Sequence, residues 1–346
     1  MKRNQTLKFK VGNLTLGGSN RVLIQSMCNI KTSKVKEVIR QINECHKLGA
    51  DLMRVSVLDL EDAKAIKQIK KGIKIPLIAD IHFDYRLALE AINNGVDAIR
   101  INPGNIGSVD KIKKVVLLAK KKSIPIRVGV NSGSLDKSIS NQVSAVNLVK
   151  SAKKHVAILE KLGFRNIVIS LKGSNVKDTI EAYTLASKTF KYPLHLGITE
   201  AGPSEIGISR SVAALAPLLL NGIGNTIRIS LSDEPQKEII ACKRLLHDVG
   251  LYPNYPTLIS CPTCGRTQVN LIPLANKVLK YLEDNHINKK VAVMGCVVNG
   301  PGEAKECDLG VAGGKNEWVL FKKGEVVRKI KDKDAYNVLI KEIKKL

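Results

Sequence analysis

Aromatic residues and long apolar runs are both scarce in this sequence. Phenylalanine, tyrosine and tryptophan together make up 4% of its 346 residues, and there is a single tryptophan. Stacking platforms for single-stranded nucleic acid are therefore few. No stretch reaches the unbroken apolar length that spans a bilayer, and the basic N-terminus has no apolar run of signal-peptide length. These absences predict a cytoplasmic protein with no membrane partner.

Acidic residues are outnumbered by basic ones. The chain has 56 lysines and arginines against 31 aspartates and glutamates, which gives a net charge of +25. Such an excess is typical of proteins that bind nucleic acid. Here the lysines recur as short groups in candidate helices, for example at 70–71, 113–114 and 120–122, and not as one stripe. We interpret them as solvated helix faces and predict no nucleic-acid partner, while attraction of an acidic electron carrier or an anionic substrate stays open.

The seven cysteines do not form the even, closely spaced set of a disulfide-stapled secreted domain. Cys261 and Cys264 form a C-x2-C pair in SCPTCGR, and Cys296, Glu303 and Cys307 follow in GCVVNGPGEAKEC. Thiolates suit zinc or an iron-sulfur cluster, and spacing alone does not separate these metals. By spacing, Cys307 is the natural fourth ligand of a closed structural site. Glu303 would instead leave one metal ion open to a substrate oxygen, and both alternatives are consistent with the residues.

Eight short β-rich runs alternate with lysine-rich segments of helical periodicity. Eight such units within about 230 residues predict an α/β fold with an N-terminal TIM (β/α)8 barrel, and an open doubly wound sheet is the alternative. Ahead of the first strand, LKFKVGNLTLGG alternates around a Gly-Asn turn and predicts a hairpin that caps the bottom of the barrel. The candidate strands are 22–28, 51–57, 76–83, 98–104, 125–131, 166–173, 193–200 and 226–232.

A second domain is predicted after the barrel. The segment GLYPNYPT is rich in proline and turn residues and is typical of a linker. We therefore expect residues 1–254 to form the substrate-binding barrel and residues 255–346 to form a smaller C-terminal α/β domain that carries the cysteines. Its candidate strands are 257–260, 291–294 and 318–321, and its candidate helices are 268–285 and the basic segment from residue 333.

Polar side chains recur at the C-terminal ends of the predicted barrel strands, where TIM barrels carry their catalytic groups. Four are arginines and one is a lysine, and few carboxylates lie nearby in the sequence. Converging cations require an anion, and guanidinium, amide and hydroxyl donors suit phosphate oxygens. The pattern predicts a phosphorylated substrate, with Glu200 able to move protons, and His82 could contact either the ligand or a neighbour in the pocket. The candidate substrate-binding residues are Arg54, Asp80, His82, Arg100, Asn102, Arg127, Asn131, Lys172, Arg228 and Ser230.

Several motifs of this sequence resemble those of one enzyme family. They run in the family's order from about residue 20 to residue 314, and the last of them is the most specific. By these motifs the chain is similar to the 4-hydroxy-3-methylbut-2-enyl diphosphate synthases, the iron-sulfur enzymes of the methylerythritol phosphate route to isoprenoids. The motifs are QSMCN, RVSV, ADIHFDYR, RINPGNIG, IRVGVNSGSL, LHLGITEAG, GIGNTIRISL, CPTCGR and MGCVVNGPGEA.

The resemblance implies a site and a reaction. It implies a 4Fe-4S cluster held by Cys261, Cys264, Cys296 and Glu303, with Glu200 as the barrel glutamate of the chemistry. It implies an oxidoreductase that converts 2-C-methyl-D-erythritol 2,4-cyclodiphosphate into 4-hydroxy-3-methylbut-2-enyl diphosphate with two electrons from flavodoxin or ferredoxin. It also implies a homodimer in which the cluster of one subunit closes over the barrel of the other.

Two departures from the family pattern concern cysteines. Cys28 follows a methionine where threonine is usual, and Cys307 lies close to the cluster motif. Cys28 could line the pocket, whereas Cys45 and Cys242 are interpreted as buried small hydrophobic residues. Two rival functions are kept: a zinc-stabilised nucleic-acid-binding protein, which the charge and the C-x2-C pair would support, and a phosphosugar barrel enzyme with a structural metal.

Overall fold

The chain divides into two compact units, residues 1–251 and 252–346, each with hydrophobic clusters of its own. Among the described residues, no helix has the length and apolar character needed to cross a membrane. The computed structural model describes residues 2–19, 21–131, 144–298 and 300–346, without the side chains of Pro103, Pro301 and Glu303.

The first unit contains a parallel eight-stranded sheet that closes into a barrel, after a hairpin of β1 (Lys8–Val11) and β2 (Leu14–Gly17). The barrel strands are β3 (Leu23–Met27), β4 (Leu52–Ser56), β5 (Leu77–Asp80), β6 (Ala98–Ile101), β7 (Ile126–Asn131), β8 (Ile167–Lys172), β9 (His195–Leu196) and β10 (Thr226–Ile227). They pair in the order β8-β7-β6-β5-β4-β3-β10-β9. A parallel bridge between Ile169 of β8 and Leu194, just before β9, joins the two edges. The predicted TIM barrel is therefore confirmed, and the open sheet was the wrong alternative.

Amphipathic helices connect the barrel strands. In α1, for example, Val38, Ile42 and Cys45 are buried at helical spacing, which is the pattern of a helix that packs on a sheet. Many helix lysines are exposed, as the charge pattern predicted. The helices are α1 (Val35–Lys47), α2 (Leu60–Gly72), α3 (Tyr85–Asn93), the single turn α4 (Pro103–Ile106), α5 (Val109–Lys121), α6 (Ala145–Lys161), α7 (Val176–Thr189), α8 (Ser204–Leu220) and α9 (Pro235–Asp248).

The N-terminal hairpin packs against the beginning of the barrel strands. Its side chains Val11 and Leu16 share a buried cluster with Leu23 and Leu52, the first residues of β3 and β4. Gly12 turns the hairpin with a left-handed φ of 55°, a conformation that suits glycine. The hairpin therefore covers the N-terminal end of the barrel and leaves the opposite end, where the polar side chains were predicted, uncovered by it.

Several barrel strands are shorter than predicted. Regular pairing in β9 and β10 lasts for two residues each. The chain passes closely at Gly197, where a side chain would meet the Arg228 carbonyl oxygen and Lys172 Cε at 3.0 Å. The predicted strand 98–104 ends at Ile101, because the following proline starts α4 at a position that tolerates its missing N–H.

The second unit is a five-stranded sheet with two packed helices. The strands pair in the order β11-β12-β13-β14-β15, with β11, β12 and β13 parallel and the last two pairs antiparallel. The strands are β11 (Thr257–Ser260), β12 (Lys290–Met294), β13 (Leu309–Gly314), β14 (Glu317–Lys322) and β15 (Glu325–Lys331), and the helices are α10 (Leu271–Asp284), the single turn α11 (Gly300–Glu303) and α12 (Ala335–Ile343).

Two strands of this sheet were not predicted. All residues of β13 are buried and two of them are terminal glycines, so the sequence has no alternation to indicate a strand. In contrast, β15 lies at the edge of the sheet with one buried residue, Ile330, and its charged side chains resemble a solvated segment. Edge strands carry such charges because these oppose pairing with other chains.

Candidate active site

A pocket of about 350 Å³ lies at the C-terminal ends of the barrel strands. Its lining contains most of the residues predicted to bind substrate. Asn102 is not among them: it is buried and caps α4, where its side chain accepts a hydrogen bond from the Gly104 N–H at 3.1 Å. The predicted residues that line the pocket are Arg54, Asp80, His82, Arg100, Arg127, Asn131, Lys172, Glu200, Arg228 and Ser230.

The strand register explains why these side chains meet. Asp80 of β5 pairs with Arg100 of β6, and Arg100 pairs with Arg127 of β7. Paired residues of neighbouring parallel strands point to the same side of a barrel wall. Gly129 makes space for this row, because a Cβ atom there would lie 2.7 Å from Arg100 Nε. A regular barrel with this sequence therefore places one carboxylate and two guanidinium groups side by side at the floor of the pocket.

Asp80 is the buried carboxylate that holds the arginines in place. Its Oδ1 accepts a hydrogen bond from Arg100 Nη1 at 3.1 Å, and its Oδ2 lies 3.5 Å from Arg54 Nε. Burial alone would raise the pKa of Asp80, but the charges of Arg54 and Arg100 outweigh it and lower the pKa to about 2. The carboxyl group is therefore ionised at neutral pH. His82 Nε2 lies 3.7 Å from the same carboxylate, and its side chain is about half exposed towards the pocket opening.

A methionine that the sequence analysis did not predict lies between two of these arginines. Met27 Sδ is 3.1 Å from Arg54 Nε, 3.0 Å from Arg54 Nη2 and 3.5 Å from Arg228 Nη1. A thioether is a weak acceptor and carries no charge. Met27 therefore orients both guanidinium groups without neutralising either. Its motif, QSMCN, was recognised as a family feature, but its role needed the barrel geometry.

Glu238 also holds an arginine and was not predicted. It lies on α9, is almost fully buried, and accepts hydrogen bonds from Arg228 Nε and Nη2, both at 2.8 Å. Ser26 Oγ at 2.6 Å and the Leu231 N–H at 3.0 Å donate to the same carboxylate. This bidentate pair fixes the Arg228 guanidinium and leaves Nη1 on the pocket side. No strand-end pattern points to a helix residue, so only the tertiary structure identifies it.

The pocket still has an excess of positive charge. Its lining contains five basic side chains and two carboxylates, Asp80 and Glu200, and Glu238 behind the wall adds a third carboxylate. Arg127 donates from Nη1 to Gln25 Oε1 at 2.8 Å, while its buried Nη2 has no hydrogen-bond partner among the described residues. Burial and the neighbouring Arg228 and Arg54 charges depress the pKa of Lys172 well below its ordinary value. An anion in the pocket would reduce the repulsion among the basic side chains and could accept a hydrogen bond from Arg127 Nη2.

Glu200 differs from the buried carboxylates. It is exposed at the pocket margin in the loop after β9, and its φ of 57° lies in the left-handed region. A residue other than glycine in this region is strained by about 1 kcal/mol or more, and such strain persists where surrounding structure enforces it. The conformation directs a solvent-accessible carboxylate to a cation-lined cavity, which is an arrangement suited to proton transfer.

Two cysteines of the second unit, Cys261 and Cys296, lie at the same end of its sheet, which is called the cysteine edge below. Cys261 follows β11 and Cys296 follows β12, and these strands are parallel neighbours. Cys261 Sγ accepts a hydrogen bond from the Gly295 N–H at 3.1 Å, so the Cys261 thiol lies next to the residue that precedes Cys296. Cys264 is exposed, and hydrogen bonds from the Arg266 backbone and side chain, together with its charge, lower the pKa of the Cys264 thiol.

This donor set fits an iron-sulfur cluster by its chemistry, and the structure does not gather it fully. Two thiols lie at the ends of neighbouring strands, one of them accepting a backbone N–H, and a third, with a lowered pKa, follows three residues after Cys261, which is a donor set that suits a cluster. Nevertheless, the described part of the chain contains no group of three or more histidine, cysteine, aspartate or glutamate side chains close enough to hold a metal ion. The Glu303 backbone ends α11, and its side chain, predicted as the fourth ligand, lies outside the described residues.

The other cysteines are packed in apolar surroundings. Cys307 is fully buried with Ala304 and Phe321, and burial raises the pKa of its thiol. Cys28 is buried and is not part of the pocket lining, and burial raises the pKa of its thiol to about 12. Burial likewise raises the pKa values of Cys45 and Cys242 to about 12. Such thiols are poor ligands in the structure as it stands, because ligation requires the thiolate.

Two family models match the chain and together cover both units. The model of the GcpE TIM-barrel domain matches residues 6–243, and that of the GcpE protein C-terminal domain matches residues 257–345.

Curated relatives match over the full length. A protein of Clostridium perfringens is 53% identical over 346 residues and covers 99% of both chains. One of Caldanaerobacter subterraneus subsp. tengcongensis is 52% identical over 349 residues, covering 99% of this chain and 98% of the relative. Both are named 4-hydroxy-3-methylbut-2-en-1-yl diphosphate synthase (flavodoxin).

Solved structures share the barrel. Yersinia pestis dihydropteroate synthase superposes with a TM-score of 0.53 at 14% identity and covers 71% of this chain and 98% of its own. N-acetylneuraminic acid synthetase of Leptospira borgpetersenii superposes with a TM-score of 0.52 at 14% identity, covering 72% and 92%. At this identity the likeness concerns the fold alone.

Proposed function

This chain belongs to the GcpE family, and on that premise we propose that it reduces 2-C-methyl-D-erythritol 2,4-cyclodiphosphate to 4-hydroxy-3-methylbut-2-enyl diphosphate. Two electrons and two protons enter, the cyclic diphosphate opens at a carbon-oxygen bond, and a hydroxyl group leaves as water. The observation that carries the proposal is the pocket at the barrel mouth, where five cations surround two carboxylates in a chain that also holds the cysteine motif.

The barrel residues bind and orient the diphosphate. The positive charge comes from Arg54, Arg100, Arg127, Lys172 and Arg228, and Arg127 Nη2, which has no hydrogen-bond partner among the described residues, is a donor that an anion could use. Asp80 keeps two of the arginines in place through the contacts described above. Because these groups are positioned before the ligand binds, little free energy is lost to ordering them. Asn131, Ser230 and His82 add neutral or switchable donors at the same cavity, and Asn102 supports α4 beside it.

Glu200 is proposed to handle protons. Its carboxylate lies in the pocket lining yet stays accessible to solvent, so it can exchange protons with water and deliver one to the departing hydroxyl. The other carboxylates, Asp80 and Glu238, are committed to ion pairs and are poor candidates for this role.

Cys261, Cys264, Cys296 and Glu303 are proposed to hold a 4Fe-4S cluster. When bound, the cluster would relay the donor's two electrons to the substrate one at a time, and Glu303 as fourth ligand would leave one iron that a substrate oxygen could approach. The chain contributes a hydrogen bond from the Gly295 N–H to the Cys261 sulfur, and the hydrogen bonds and charge of Arg266 lower the pKa of the Cys264 thiol. Cys307, packed in an apolar cluster, is the less favoured fourth ligand.

The proposal extends to partners and location. The relatives' names contain flavodoxin, which supports a flavodoxin as the electron donor, with ferredoxin as the alternative donor. The assembly is proposed to be a homodimer, as the family resemblance implies, and its proposed location is the cytoplasm. The rival functions, a zinc-stabilised nucleic-acid-binding protein and a phosphosugar enzyme with a structural metal, receive no support from the relatives' names.

An anaerobic assay tests the proposed function. Protein purified under anaerobic conditions is expected to be brown, with a broad absorption near the blue end of the visible spectrum, and to convert the cyclodiphosphate in the presence of a chemical reductant. Colourless protein that contains stoichiometric zinc would contradict the cluster. Turnover of a phosphosugar without any reductant would contradict the redox reaction.

A further inference from the structure

A basic groove lies in the second unit, apart from the cysteines. It has a volume of about 540 Å³ and lies between the edge strand β15 and helix α12. Five of its lining side chains are basic and one is acidic. The basic residues are Arg328, Lys329, Lys331, Lys333 and Lys341, and the acidic one is Asp334.

Part of this charge is neutralised within the unit and part is not. Lys329 Nζ lies 2.7 Å from Glu317, and Arg328 Nη2 lies 4.0 Å from Glu342. The other three lysines of the groove are exposed and form no ion pair with any residue that the structure describes. The groove therefore presents an uncompensated positive surface to solvent. These three residues, Lys331, Lys333 and Lys341, are called the groove lysines below.

Protection of a sheet edge explains only some of the groove. Lysines on an edge strand oppose pairing with other chains, and this accounts for Lys329 and Lys331. It does not account for Lys333 and Lys341, which lie beyond the strand. Lys333 is on a short 3-10 turn (Asp332–Asp334) and Lys341 is on α12. Lysines from a strand, a turn and a helix that meet in one groove indicate a surface for an acidic partner.

The groove lies within reach of the cysteine edge. Strand β15 is antiparallel to β14, and β14 is antiparallel to β13, which is parallel to β12. The C-terminal ends of β15 and β12 therefore lie at the same end of the sheet, where Cys296 follows β12. Three strand spacings separate β12 from β15, which is about 14 Å. A standard protein interface buries about 800 Å² per partner, a patch about 30 Å across. One bound protein can therefore cover the groove lysines and the cysteine edge together.

We propose that the groove lysines are the docking surface for the flavodoxin that delivers the electrons, through an acidic face around its flavin. This deepens the proposed function and depends on it, because an electron donor is needed only if the chain catalyses a reduction. Charge complementarity favours an acidic protein. A nucleic acid fits less well, since none of the described lining residues offers an aromatic platform for base stacking.

The test reverses the charge of the groove and measures two reductants. The variant Lys331→Glu/Lys333→Glu/Lys341→Glu is expected to raise the KM for reduced flavodoxin by about tenfold or more at low ionic strength, because charges at an interface govern encounter. The difference should shrink in ~1 M salt, where the Debye length is about 3 Å. Turnover with dithionite and methyl viologen should stay within about twofold, because small reductants do not need a docking face.

The matched control carries the same change of charge on the barrel. Lys64, Lys67 and Lys71 are exposed and lie along one face of α2. Lys64→Glu/Lys67→Glu/Lys71→Glu is expected to leave the KM for flavodoxin within about threefold. Equal losses in both variants would mean that net charge alone attracts the donor and would overturn the proposal. An unchanged KM in the groove variant would also overturn it.

Binding measured without turnover separates docking from damage to the cluster. Titration of the holoenzyme with oxidised flavodoxin at low salt should show a loss of affinity of about tenfold in the groove variant and not in the control. The milder Lys331→Gln/Lys333→Gln/Lys341→Gln variant is used if the reversal bleaches the visible absorption. The proposal would be overturned if the groove variant lost affinity for an oligonucleotide and kept its affinity for flavodoxin. If wild-type protein fails with dithionite as well, the proposed function fails and the groove is not the cause.

Discussion

The barrel pocket and the cysteine edge differ in how complete each is in the folded chain. In the pocket, Asp80 and Glu238 already hold Arg100 and Arg228 through buried ion pairs. At the cysteine edge, the thiols share one side of a sheet without reaching a metal-binding arrangement in the described residues. The pocket proposed to bind the anion is held by buried ion pairs within the barrel, whereas a cluster at the cysteine edge would be completed by the free energy of ligation itself. The two regions should therefore respond independently to mutation.

Loss of a cluster ligand is expected to have the largest effect. Cys264→Ser should abolish turnover, about 10³-fold or more, and remove the visible absorption, because an exposed thiolate with a lowered pKa is replaced by a poor iron ligand. If the pocket is complete without the cluster, this variant should still bind the cyclodiphosphate with wild-type affinity in calorimetry. Cys307→Ser is the control and should stay brown. A colourless Cys307→Ser protein beside a brown Cys264→Ser protein would reverse the assignment.

Replacement of Glu200, the residue proposed to transfer protons, is expected to have the next largest effect on turnover. Glu200→Gln keeps the size of the side chain and removes its base, so kcat should fall by about 10²- to 10⁴-fold. Substrate binding should not weaken, because the pocket becomes more positive when Glu200 loses its charge. The dissociation constant should therefore change by less than about threefold. The visible absorption should not change. A rise in KM with unchanged kcat would show that Glu200 binds substrate and does not move protons.

The ion pair behind the pocket wall gives a smaller effect, on affinity. Glu238→Gln removes the bidentate carboxylate from Arg228 and should weaken substrate binding by about 10- to 100-fold, because breaking a buried pair leaves a charge poorly held. The cluster absorption should remain. Glu234→Gln, at the exposed start of the same helix, is the control and should bind substrate normally. Equal affinities in the two variants would show that Arg228 does not need Glu238.

The smallest expected effect is on stability in acid. The folded-state pKa of Asp80 is about 2, against about 3.9 for an unfolded aspartate. Asp80 therefore stabilises the folded barrel above about pH 4, by roughly 2.6 kcal/mol, and this contribution disappears as the pH falls from about 4 to about 2. Urea unfolding of the barrel, followed at pH 6 and at pH 3, should show the loss of about half of it in wild type. Asp80→Asn should be less stable at pH 6 and show a smaller change with pH, and a parallel change in both proteins would contradict the role given to Asp80.

Particular residues show how far the sequence could be interpreted. Arg54, Arg100, Arg127, Lys172 and Arg228 were predicted from their places at strand ends, because a barrel register brings such positions to one mouth. Met27 and Glu238 were missed, since one resembles an ordinary core residue and the other lies on a helix outside the strand pattern. Asn102 lies outside the pocket lining and caps α4, because a proline follows it and starts a helical turn, so its predicted contact with the ligand stays a prediction. The short strands β9 and β10 have no local signal in the sequence.

The sequence by itself determined the alternation of strands and helices, the surplus of cations at strand ends and the cysteine motif that marks the family. These features are local or periodic, so they can be recognised before the chain is folded. Only the tertiary structure decided which carboxylates hold which arginines and which cysteines are buried with raised pKa values. It also decided where lysines from a strand, a turn and a helix meet in one groove. Those outcomes depend on contacts between residues far apart in the chain, and side chains acquire partners, lowered or raised pKa values and shared surfaces only when packing brings them together.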